Sequence, residues 1–148
     1  MPKATVTVHH AAAPVNVLRA RLEALKAGIE KLRLELNIEP LFPTFIVVSD
    51  LPPVRAICPF GSGMVGLGDP MYDIDNIAPF SDREDAEAFV KRWNAENGHD
   101  PVKVVTRHEF RPVLLSHYQE QLTALQRRIN VIEFPVRLAV AHVGIASA

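Results

Sequence analysis

One hexapeptide in the chain has the spelling of a ligand loop. Gly61-Ser62-Gly63-Met64-Val65-Gly66 reads G-x-G-x-x-G, the spacing with which a strand-to-helix turn brings backbone N–H groups and a helix N-terminus up to a pyrophosphate. The residues behind it do not continue that design, because Leu67-Gly68-Asp69-Pro70 cannot open a helix. At 148 residues the chain is also too short for a protein kinase, whose glycine loop lies between strands. Asp69, Asp73 and Asp75 follow at short intervals and offer hard oxygen ligands for Mg²⁺ or Ca²⁺. The twelve-residue calcium-loop pattern, with its central glycine and closing glutamate, is missing. A loop or assembly arm over 59–70, followed by solvated turn carboxylates, is the plainer reading. The ligand reading gathers Gly61, Ser62, Gly63, Gly66, Asp69 and Asp73 around a phosphate or nucleotide.

The other reactive residue types are scattered. Six histidines (His9, His10, His99, His108, His117 and His142) never fall at a zinc spacing, and H-E-x-x-H does not occur. His117 and Glu120 share a helical face, but two groups are too few to define a metal site. His108 or His117 could serve an enzyme without recognisable motif as general base. Cys58 is the sole thiol; its flanks Ala56-Ile57 and Pro59-Phe60 are apolar, which raises a thiol pKa and leaves it inert. No serine sits in a G-x-S-x-G elbow. Arg107, His108, Arg111, Arg127 and Arg128 are basic without interleaved aromatics, which points away from nucleic acid. No catalytic residue, cofactor or metal is assigned from the sequence.

Composition narrows the class further. Hydrophobic residues make up 48% and charged residues 22%, a globular balance, and sixteen basic against seventeen acidic residues leave almost no net charge. Neither a polyanion nor an anionic membrane is recruited by bulk charge, whereas self-association is not opposed by it. One cysteine excludes an internal disulfide framework and suits a reducing cytoplasm. No signal peptide is visible and no apolar run is long enough to span a bilayer.

The elements that must carry these residues are clearer. Pro79 to Glu109 reads as a helix feeding a strand: Ser81 as N-cap with Glu84 completing a capping box, Ala86, Phe89, Val90 and Trp93 as the apolar face, Asn97-Gly98 as the exit, then Val102, Val104 and Val105 extended towards Phe110. Leu18, Leu22, Leu25, Ile29, Leu32 and Leu36 form a heptad stripe over a helix from Val17 to Leu36. A matching stripe, Tyr118, Leu122, Leu125, Ile129 and Ile132, runs from a start near Pro112 to Pro135. Thr44–Val48 is a buried strand with Val54–Cys58 as hairpin partner, and Met71–Ile77 could return as a third. Ala4–His9 alternates as a short N-terminal strand and Val136–His142 as a last one, with His9 and His142 facing each other if they pair. Phe42, Phe45, Phe60 and Phe80, each beside a strand or cap, read as core.

The expected fold is one α+β domain: an antiparallel sheet of about four to six strands and three helices packed mostly on one face, with a strand or arm over 1–14 and a strand or tail over 135–148. The expected function is non-catalytic binding or assembly as a homo-oligomer, through Leu18, Leu22, Leu25, Ile29, Leu122, Leu125 and Ile129 on the heptad stripes. A small virus-encoded structural or inhibitory accessory protein is one form such a chain takes. The phosphate or nucleotide binder is the alternative, and the motif-free enzyme a third.

Overall fold

The computed structural model describes residues 2–134, and the side chains from residue 15 onward. The fold is α+β. Helix α1 spans Pro2–Glu35, strands β1 (Phe45–Ser49), β2 (Ala56–Gly61) and β3 (Met64–Gly68) follow, then helix α2 (Arg83–Glu96), strand β4 (Val102–Thr106) and helix α3 (Arg107–Glu133). The sheet is antiparallel in the order β3-β2-β1-β4. β1 pairs β4 over its whole length, from Phe45 opposite Thr106 to Ser49 opposite Val102.

Each sheet face has its own cover, as the two-residue alternation of a strand requires. Ile46, Val48, Ala56 and Cys58 pack against Leu25, Ile29 and Leu32 of α1 and Phe110, Leu114 and Tyr118 of α3. Val47, Ile57 and Val102 on the opposite face meet Ala86 of α2, with Phe89, Val90 and Trp93 beside it. Two of the three helices therefore lie on one face. α1 and α3 run antiparallel: Arg19 pairs with Glu133 near one end of the pair, and Arg111 with Glu35 at the other. α3 starts at the β4 edge, and by Tyr118, which donates to the Pro70 carbonyl beyond β3, it has crossed to the other edge.

Several ends differ from the sequence reading. Residues 2–14 continue α1 and are not a strand. Six alternating residues carry only a weak β preference, while Pro2 suits a first helical position and Ala11–Ala13 are strong helix formers. The helix continues through Pro14 despite the hydrogen bond that residue cannot donate. Asp82, one place past Ser81, caps α2 by accepting from the Glu84 N–H at 2.8 Å. Asn97 closes α2 from outside the left-handed region, at φ −131°. α3 begins at Arg107, with Thr106 as cap, so Pro112 falls inside it. Met71–Ile77 is a turn and one 3-10 turn (Ile74–Asn76) in place of a strand. The expected glycine loop over 59–70 is mostly the β2–β3 hairpin. The Val136–His142 strand lies outside the described residues, as does any pairing of His9 with His142.

Candidate functional site

The carboxylates after β3 are tied to the helices. Lys31 of α1 donates to Asp73 at 2.9 Å and also to Asp75, which Arg107 of α3 reaches as well. Asp73 meanwhile caps the 3-10 turn through the Asp75 N–H at 2.9 Å. The Lys31 bond, with Arg107 behind it, holds the Asp75 carboxyl below its ordinary pKa, and the bonds to Asp75 and Asp73 push the Lys31 ammonium up. Asp69 accepts from Gln121 Nε2 at 2.7 Å and lies 3.5 Å from His117 Nε2. Gly28 lets the segment approach α1 this closely, since a Cβ there would overlap the Tyr72 carbonyl. These contacts clamp residues 69–75 onto both long helices. Among the described residues no three His, Cys, Asp or Glu side chains are grouped closely enough to hold a metal ion.

The G-x-G-x-x-G glycines serve the hairpin. Gly61, Ser62 and Gly63 all have positive φ (90°, 54° and 73°), which lets two adjacent strands join across a tight turn. A register shift between Pro59 and Gly61 sets Phe60 off the ladder, and its ring lies over Gly66, where a Cβ would collide with it. β3 continues through Gly66, where a phosphate site would need a helix N-terminus. Gly61, Ser62 and Gly63 thus come together at the hairpin tip, while Asp69 and Asp73 stand past the far end of β3 against the helices. The structure does not bring the six residues to one place.

Cys58 is buried, donates to the Ala56 carbonyl at 3.4 Å, and is pushed up to about 11 by burial, with Asp69 adding to the effect. Burial likewise raises the Tyr118 hydroxyl. Arg111, only 9% exposed, donates to the carbonyls of Glu35 and Ile38 at 3.0 Å each. It supplies the C-terminal end of α1 with donors and positive charge. Its sequence signal, one arginine in a basic stretch, does not distinguish a cap from a surface charge. His108 Nδ1 is buried and finds no hydrogen-bond partner among the described residues.

The heptad residues face inward. Leu18, Leu25, Ile29 and Ile129 are buried, and Leu22, Leu122 and Leu125 half-buried. The exposed apolar surface lies elsewhere, beginning with two phenylalanines read as core. Phe42 is 81% exposed and Leu41 88%, on the connector Pro40-Leu41-Phe42-Pro43, with Leu34 and Ile38 exposed just before it. Phe60 and Met64 are exposed on the hairpin. Because neighbouring strands are antiparallel, the start of β1, the β2–β3 turn and the end of β4 all lie at one end of the sheet. The connector and hairpin tip are therefore both at that end. At the other, an open groove of about 340 Å³ runs between the β1–β2 turn and α3, with Val48, Leu51, Val54, Val105, Phe110 and Val113 among its walls. No helix among the described residues is long and apolar enough to cross a membrane. Comparison with protein-family models, with curated proteins and with solved structures finds no match to this chain.

Proposed function

We propose that this chain works by assembly, joining further copies of itself through exposed apolar surface in a reducing cytoplasm where Cys58 stays a free thiol. The observation that carries the reading is the Leu41-Phe42 pair, held out in solvent between two prolines. Pro40 and Pro43 fix their own φ and restrict the residue before each, so the pair is presented at low conformational cost. Large apolar side chains grouped in this way are a mark of contact surface. Covering such a side chain fully contributes roughly 1.5–3 kcal/mol, so the pair alone falls short of the about 8 kcal/mol behind a micromolar Kd. With Leu34 and Ile38 added, association that grows with concentration follows. The groups that could do chemistry are engaged otherwise: Asp73 and Asp75 with Lys31, and Asp69 with Gln121.

Replacing both residues (Leu41→Ser with Phe42→Ser) tests this. Neither is buried, so the fold should change in stability by less than about 0.5 kcal/mol. Sedimentation should show the variant at 16.4 kDa under conditions where the native chain is heavier. A variant that assembles as the native chain does would refute the role given to the connector.

A further inference from the structure

We infer that the Leu41-Phe42 knob of one copy seats in the groove between the β1–β2 turn and α3 of the next. This rests on the assembly reading and adds the occupant of a specific site. Knob and groove match in kind: two exposed apolar side chains between prolines, and a cleft walled by valines, Leu51 and Phe110. They match in size as well, since about 340 Å³ is at the small end of ligand cavities and suits one or two large side chains.

A copy cannot fill its own groove. The connector enters β1 at Phe45 and the groove lies beyond Ser49, so the length of a strand, roughly 16 Å, separates them. The paired strand and the two prolines hold that separation. Charge is complementary at the margin: Glu39 stands beside the knob, and Lys103 lines the groove, where its only ion-pair partner among the described residues is the exposed Asp50 at 3.5 Å. A net charge of −1 leaves little long-range repulsion between copies. The contact is smaller than the roughly 800 Å² per partner of a standard interface, which predicts association that is lost on dilution. One contact per neighbour extends a ring or filament, while two copies exchanging knobs close as a dimer.

The experiment uses light scattering on the full chain in four forms: native, the knob variant (Leu41→Ser with Phe42→Ser), and two groove variants, Val113→Asp and Leu51→Asp. Both groove positions are about half exposed, and Leu51 lies on a turn, so it keeps the test if the helix substitution disturbs folding. Far-ultraviolet circular dichroism checks each fold. Knob and groove variants should each raise the apparent Kd by roughly tenfold or more. A mixture of knob and groove variants retains one intact knob and one intact groove, and should form a species of twice 16.4 kDa that neither gives alone. If the folded groove variants assemble like the native chain while the knob variant does not, the knob seats elsewhere and only this inference falls. A mixture that stays at 16.4 kDa also overturns it. A native chain that stays at 16.4 kDa at every concentration overturns both this and the assembly reading.

Discussion

Gly28 shows how one residue can reverse a general rule. In an exposed helix, alanine is preferred to glycine by about 1 kcal/mol. Here the added methyl would strike the Tyr72 carbonyl, and backbone cannot turn aside as a side chain does. Gly28→Ala should therefore destabilise the fold by about 1–3 kcal/mol, read as a lower urea midpoint. A higher midpoint would mean that residues 69–73 do not lie against α1. Cys58 gives a pH-dependent counterpart. Its thiol loses a proton near 9.0 when unfolded and near 11 in the fold, because burial disfavours the thiolate. That contribution to stability is complete below pH 9 and declines as pH rises from 9 to 11. Replacing Cys58 with alanine should flatten part of the stability loss over that range, and the native thiol should resist maleimide at pH 7 until the chain unfolds.

At the scale of elements, the two heptad stripes meet each other across the α1–α3 pair. Leu25, 1% exposed, should cost about 2–5 kcal/mol when cut to alanine, and half-buried Leu125 less. Thermal melts of the two variants check this; equal small losses would mean the stripes are not packed as described. These helices were legible in the sequence because a long run of regularly spaced apolar residues outweighs any one misfit. The same holds for β1, for the β1–β2 pairing and for the apolar face of α2. The signals that failed were short. Six alternating residues at 4–9 resemble a strand locally, but the helix carries straight through them. Ser81 and Asp82 are both good caps, and spacing alone does not choose between neighbours. The glycine run resembles a phosphate loop in spelling; which of strand or helix follows Gly66 is decided by pairing with β2, which no local pattern encodes.

For the whole molecule, burial of phenylalanine is the instructive miss. Phe42 and Phe60 sit beside strands, as core phenylalanines do, yet both are exposed. Proximity in sequence to a buried strand does not say which side of the connector faces it. The apolar end of the fold and the groove at its other end are products of tertiary arrangement, as is the sharing of Asp75 between Lys31 and Arg107. Assembly is the property that joins these surfaces to a function. The most direct measurement is the solution mass of the native chain by light scattering over a concentration series. A mass that climbs from 16.4 kDa with concentration and falls back on dilution is the predicted result. A mass fixed at 16.4 kDa across the series would contradict it, and would leave Leu41 and Phe42 as exposed residues without a partner copy.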